Sequence, residues 1–162
     1  MEGRLLRLLR CLQEGGVEFI LVGGLSGVLN GAPIHTEDVD IVPRREASNL
    51  ERLLSVLSGL DAHYRADPTR RLRPTAAHLA SAGHQNLTTQ LGWLDVLGTV
   101  GNDLAYPDLV PHSHRLEIAF DLAIQVLDLE TYVKIKEALG TEKDRAQLPV
   151  LRRTLAERNK AK

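Results

Sequence analysis

Cysteine is almost absent from this chain of 162 residues: Cys11 stands alone. An internal disulfide is therefore excluded, and with it a small secreted scaffold stapled by bridges, so a reducing, cytoplasmic setting is expected. A zinc site built on cysteines fails on the same count. Long apolar runs are missing as well. The most apolar stretch, Phe19 to Ala32, is broken by Gly23, Gly24, Ser26, Gly27, Asn30 and Gly31, and is too short to span a bilayer. The opening residues MEGRLLRLLRC are amphipathic and lack the apolar region and small-residue cleavage site of a signal peptide. No internal repeat and no low-complexity segment is found. Charge of one dominant sign is also lacking. The net charge is −1, so no global field draws in nucleic acid.

A hydrophobic fraction of 43% and a charged fraction of 25% are those of a folded domain, and the length allows one domain. Charge is nevertheless unevenly placed. Arg65, Arg70, Arg71 and Arg73 cluster against the single acid Asp67, and Arg152–Lys162 is basic with only Glu157 opposing. Such patches are either ordinary solvated surface or a grip for a polyanion.

Periodicity predicts the elements. Leu5, Leu8, Leu9 and Leu12 mark a helix over 3–13, ending at Gly15-Gly16. Val17–Val22 reads as a strand broken by Gly23-Gly24, with a short helix to Gly31; Asp38–Val42 is a second strand, ended by Pro43. Leu50, Leu53, Leu54, Leu57 and Leu60 place a helix over 46–58. Between 61 and 83 the reading is weaker, with a short helix after Pro74. Strands are expected at 87–90 and 93–97, a loop at 98–111, and a strand pair at 116–120 and 123–127. Helices follow over 128–139, with Leu139 in the buried stripe, and over 142–158, with a break or kink at Pro149.

The anomaly is Asp38-Val39-Asp40-Ile41-Val42. Residues i and i+2 of a strand share a face, so the two carboxylates aim together while Val39 and Ile41 enter the core. Like charges so placed raise each other's pKa, and a divalent cation such as Mg²⁺ or Mn²⁺ removes that cost. The alternative is an edge strand with two solvated acids. Asp95 lies among Trp93, Leu94, Val96 and Leu97, and is expensive there unless bound to metal or paired with a buried arginine. Gly23-Gly24 after a strand is either a tight turn or a place where bare backbone N–H groups meet phosphate. His112 and His114 form a His-x-His pair without a third ligand and read as exposed loop residues.

Taken together, these residues resemble the DNA polymerase β-type nucleotidyltransferase superfamily, whose signature is an apolar residue with Gly-Gly or Gly-Ser, then Asp-x-Asp, then a third Asp. The likeness is closer to its compact bacterial branch of AbiEii/MenT-type toxins. The matching stretches are Gly31 to Asp40, Gly92 to Leu97, and Lys136 through Gly140 to Lys143-Asp144. Ile34 and Thr141 stand where that branch often carries arginines, which implies altered phosphate handling. The resemblance implies an α+β fold: a nucleotidyltransferase-like mixed sheet flanked by helices, with residues 1–128 as core and 129–162 as a C-terminal helical segment packed on the same domain.

It further implies an enzyme that transfers a nucleoside monophosphate from an NTP to a hydroxyl of RNA, tRNA or protein, as part of a toxin–antitoxin pair with a cognate partner protein. Asp38, Asp40 and Asp95 would be catalytic and hold Mg²⁺ or Mn²⁺. Gly23, Gly24, Ser26, Lys136 and Asp144 would bind the nucleotide, and Arg65, Arg70, Arg71 and Arg73 an RNA acceptor. Lys136 has support of its own, because helical spacing puts it in the apolar stripe of Leu129, Tyr132 and Val133 while Lys134 points away. It either meets phosphate or carboxylate, or snorkels. Thr141 and Asp144 also have the spacing of a capping box. Two alternatives remain: a non-catalytic antitoxin or NTP-binding module of the same fold, and a metal-dependent phosphohydrolase.

Overall fold

Seven strands among the described residues, 2–162, form one mixed sheet, and the register of its central strands decides where charged side chains can go. The computed structural model gives, in chain order, α1 (Arg4–Glu14), β1 (Phe19–Val22), α2 (Gly23–Leu29), β2 (Val39–Pro43) and α3 (Ala47–Gly59). Next come β3 (His63–Tyr64), α4 (Ala76–Ala80), β4 (His84–Thr89), β5 (Gly92–Leu97) and α5 (Tyr106–Leu109). A 3₁₀ turn at Val110–His112 leads to β6 (Ser113–Ala119), β7 (Leu122–Leu127), α6 (Leu129–Leu139) and α7 (Glu142–Lys160). The strand order is β3-β4-β5-β2-β1-β7-β6. β1 and β2 are antiparallel, and each has a parallel neighbour on its other side, β7 and β5 respectively. The expected α+β architecture, a mixed sheet flanked by helices, is the one the chain adopts.

Strand alternation sorts the side chains between two cores. Val39 and Ile41 of β2, with Leu21, Leu94 and Val96, join Leu8, Leu9 and Leu12 of α1 and Leu50, Leu53 and Leu57 of α3. Val42, with Ile20, Val22 and Leu127, packs the other way, against Leu129, Tyr132 and Val133 of α6 and Leu148 and Leu151 of α7. Each fully buried leucine contributes roughly 1.5–3 kcal/mol. Asp40 lies one residue from Ile41 and two from Val42, so it shares the second face, the one under α6 and α7.

Several expectations are corrected. The helix after β1 begins at Gly23 itself. β4 starts at His84, ahead of the expected 87, and pairs with β5 along its whole length. The presumed loop at 98–111 contains α5, where Pro107 occupies the first turn and needs no donor, and Asp108 accepts from the Ala105 N–H at 2.9 Å. Pro149 does not break α7, whose buried Leu148 and Leu151 hold both halves on one core. Leu139 is 55% exposed rather than inward, because α6 ends there at Gly140, in the left-handed region at φ +61°. His114 is no loop residue: it lies on β6, 2.6 Å from Asp128, while His112 stays exposed in the 3₁₀ turn.

Candidate functional site

Backbone register builds the acidic site. Val22 of β1 faces Asp40 of β2, and Asp40 faces Asp95 of β5 across a parallel pairing. Asp38 precedes β2 by one residue and falls on the same side as Asp40. One oxygen from each of the three carboxylates lies within 4.8 Å of the others. Among the described residues this is the one His/Cys/Asp/Glu cluster of that kind.

The turn after β1 is shaped for this cluster. Gly23 has φ +69°, and a Cβ there would lie 2.0 Å from Oδ2 of Asp40, so only glycine fits on both counts. Gly24 is tight against Thr36, whose Oγ1 would be 3.0 Å from an added Cβ. Ser26, expected on the nucleotide, is not available to it. Its side chain is wholly buried and its Oγ donates to the Gly23 carbonyl at 2.6 Å, inside α2's first turn.

Electrostatically the site is unfinished by protein groups alone. The Asp40 carboxyl is pushed up to about 7 by burial, then by hydrogen bonding with Asp95 and the charges of Asp95 and Asp38, with Arg65 pulling the other way. Asp95 is 13% exposed, and Nη2 of Arg65 stands 2.8 Å from its Oδ1. That approach misses hydrogen-bond geometry, so the buried Oδ1 accepts no hydrogen bond. Three hard oxygen donors and a glycine cradle on Asp40 fit a divalent cation, with Arg65 already paired to one of the carboxylates. The 4.8 Å spread is slightly wider than the ~4.2 Å diameter of an Mg²⁺ octahedron.

Arg65 is the group that sequence reasoning misplaced. It was expected on RNA with its neighbours, yet Nη1 donates to the Leu87 carbonyl at 2.9 Å and Nη2 pairs with Asp95. The arginine partner weighed as an alternative for Asp95 thus exists alongside the acid cluster. Of the other basic residues in that segment, Arg71 and Arg73 both bind Asp61, and Arg70 reaches Asp67 at 4.0 Å.

Lys136 and Asp144 meet at 2.8 Å, each side chain 10% exposed. Lys136 therefore neither snorkels nor touches the acid cluster. Asp144 forms the expected capping box, its Oδ2 accepting from the Thr141 N–H and Oγ1 while Thr141 Oγ1 accepts from the Asp144 N–H. Burial alone would raise the Asp144 carboxyl, but the bonds from Lys136 and Thr141 bring it below its ordinary value. Tyr132, under the Lys136 ammonium at 5.3 Å, has its hydroxyl pushed up by burial and then by the charges of Asp40 and Asp144. Ile34 packs into the second core beside Gly27 and Tyr132.

A cavity of about 840 Å³ joins these parts, with Gly23, Gly24, Asp38 and Asp40 on one wall and Tyr132, Lys136, Lys143 and Asp144 on another. Its volume suits a small-molecule ligand. Trp93 and Lys143 also line it; Lys143 belongs to the stretch that carries the resemblance, whereas Trp93 did not stand out in the sequence. The signal for Trp93 was its i−2 spacing from Asp95, which puts both on one face.

No helix among the described residues is long and apolar enough to cross a membrane. No protein-family model matches the chain, and no curated protein matches it by sequence. By structure, the chain is similar to a "putative nucleotidyltransferase" from Thermotoga maritima, with a TM-score of 0.58 and 19% identity over 94% of this chain and 91% of that one. At that identity the likeness is one of fold: the mixed sheet and flanking helices described above form a nucleotidyltransferase-like fold.

Proposed function

We propose that this protein transfers a nucleoside monophosphate from an NTP to an acceptor hydroxyl. The observation carrying this reading is the convergence of Asp38, Asp40 and Asp95 beside the Gly23 turn, with Asp38 and Asp40 lining a nucleotide-sized cavity. The three carboxylates would hold Mg²⁺ or Mn²⁺. Such ions, when bound, neutralise charge on the attacking and leaving oxygens. Asp40, pushed toward its neutral form by burial, would serve as a ligand in its ionised form. Asp95 orients the acceptor hydroxyl and takes its proton as the new bond to the α-phosphorus forms and pyrophosphate leaves. Gly23 and Gly24 let the phosphates approach backbone, while Lys143, exposed on the cavity wall and in no ion pair among the described residues, supplies a cation. Positioning and charge neutralisation suffice for phosphoryl chemistry.

In this reading residues 1–128 form the catalytic core and 129–162 the helical wall over the cavity. The acceptor is RNA, tRNA among it, or a protein hydroxyl, and the setting a cytoplasmic toxin–antitoxin pair of the AbiEii/MenT kind. Arg70, Arg71 and Arg73 would reach an RNA acceptor only by sharing or leaving their carboxylate partners.

One observation favours a second reading. Arg65 already neutralises Asp95, which suits a module that binds nucleotide without transferring it. Incubation with each α-labelled NTP, Mg²⁺ and total cellular RNA separates the two. Transfer predicts label on RNA or protein that is lost in Asp38→Ala and Asp40→Ala. Nucleotide binding with no label under any NTP would establish the second reading instead.

A further inference from the structure

We propose that the indole of Trp93 is a stacking platform for a nucleobase in the cavity. The inference rests on the nucleotidyl-transfer reading and names the part of that site which recognises the base.

Trp93 is the sole tryptophan of a chain in which aromatic residues make up only 4%. It is 47% exposed, although burying an indole would remove a large apolar surface from water. Its place is the cavity wall. Strand spacing puts it on the same face as Asp95, and because Val39 faces Leu94 and Asp40 faces Asp95, Trp93 falls opposite Asp38. Two residues of strand separate it from Asp95, about 6.6 Å along the chain. One nucleotide can therefore reach from a base on Trp93 to a phosphate at the carboxylates.

The ring also carries a cation against it. The Arg65 guanidinium stands 4.8 Å from the ring centroid and is itself anchored by the Leu87 carbonyl and Asp95. A cation fixed over one face and an accessible remainder on the cavity wall make a pre-oriented surface for a planar π-system. Arg65 thereby touches both the base platform and the third carboxylate, whereas Arg71 and Arg73 pair on Asp61 and Arg70 reaches Asp67. The base comes either from the incoming NTP or from a nucleic-acid acceptor; the stacking chemistry is shared.

The test uses the full chain with Mg²⁺. Because Trp93 is the only tryptophan, its fluorescence reports the platform directly. Inorganic tripolyphosphate, the four NTPs and a short single-stranded RNA without a triphosphate are titrated separately, and affinities of Trp93→Ala and Trp93→Phe are measured by calorimetry. Nucleobase-bearing ligands should quench and tripolyphosphate should not. Trp93→Ala should weaken nucleotide binding about tenfold, within the range for base–aromatic stacking, and Trp93→Phe should restore most of it, with tripolyphosphate affinity unchanged. Quenching by NTP assigns the platform to the incoming base; quenching by RNA alone assigns it to the acceptor. Equal weakening of tripolyphosphate and NTP in Trp93→Ala, or no quenching by any base-bearing ligand, overturns the proposal. Quenching without nucleotidyl transfer to any acceptor leaves the platform standing and removes the transfer reading.

Discussion

The two faces of the sheet come from the same strands and the same alternation, yet they serve different ends. Under α1 and α3 every inward side chain of β1, β2 and β5 is aliphatic or aromatic: Phe19, Leu21, Val39, Ile41, Leu94 and Val96 are all buried. Across the sheet, the neighbouring positions Asp40 and Asp95 are carboxylates, with the buried Lys136–Asp144 pair nearby. The first face stabilises the fold by apolar burial. The second gives up some of that stabilisation, since burial pushes Asp40 toward its neutral form and Asp95 has to be offset by an ion pair with Arg65. A mixed sheet can carry both because opposite faces do not share side chains.

That contrast can be broken experimentally, beginning with the largest effect. Asp40→Asn should lower transfer about 10²–10³-fold, the scale of losing electrostatic stabilisation at the reacting centre. Without metal the same variant should melt no lower than the wild type, since it removes a buried acid from a like-charged cluster. A lower melting temperature in chelator would sink this view of the second face. Leu53→Ala, on the first face, should do the reverse. It should cost about 2–5 kcal/mol in denaturant unfolding while leaving turnover per folded molecule unchanged. Lys136→Met should cost about 3 kcal/mol by stranding the buried Asp144, and adding Asp144→Leu should recover part of it, less the α7 cap that Asp144 forms with Thr141; a fully additive double variant would refute the pairing.

The pH dependence sharpens the same comparison with a smaller effect. Folded Asp40 keeps its proton up to about pH 7, whereas an ordinary Asp loses it near 3.8. Between those values the folded state binds more proton, so stability in chelator should fall as pH rises through the window and level off above it, by at most about 1.4 kcal/mol per pH unit. Saturating Mg²⁺ should flatten the upper part of the fall, because an ion that binds only the folded state offsets the cost. Melting curves at pH 4, 5.5, 7 and 8.5, with and without the ion, measure it. Arg71→Ala should produce the smallest change, within measurement error, as its pair with Asp61 is exposed.

What could be read from the chain alone follows the same division. The helices of the first face were legible because leucine spacing at Leu50, Leu53 and Leu57 is a one-dimensional signal of burial. The acids were legible because a carboxylate among aliphatic neighbours is anomalous in one dimension as well. Pairings were not. Arg65 with Asp95 and Lys136 with Asp144 depend on which strand adjoins which and how one helix crosses another, and sequence spacing carries neither. Ser26 misled for a local reason: helix α2 begins at Gly23, which turns its hydroxyl back onto its own first turn. Pro149 misled because tertiary packing of Leu148 and Leu151 overrides the local cost of proline in a helix.

The parallel pairing of β2 with β5 has a consequence for assembly. Asp40 and Asp95 are far apart along the chain and become neighbours only when that long-range ladder closes, an event of high contact order that comes slowly. A polypeptide emerging from the ribosome carries Asp38 and Asp40 well before β5 can bring Asp95 beside them. The acid cluster is therefore a product of tertiary closure and not of the local folding of any one segment.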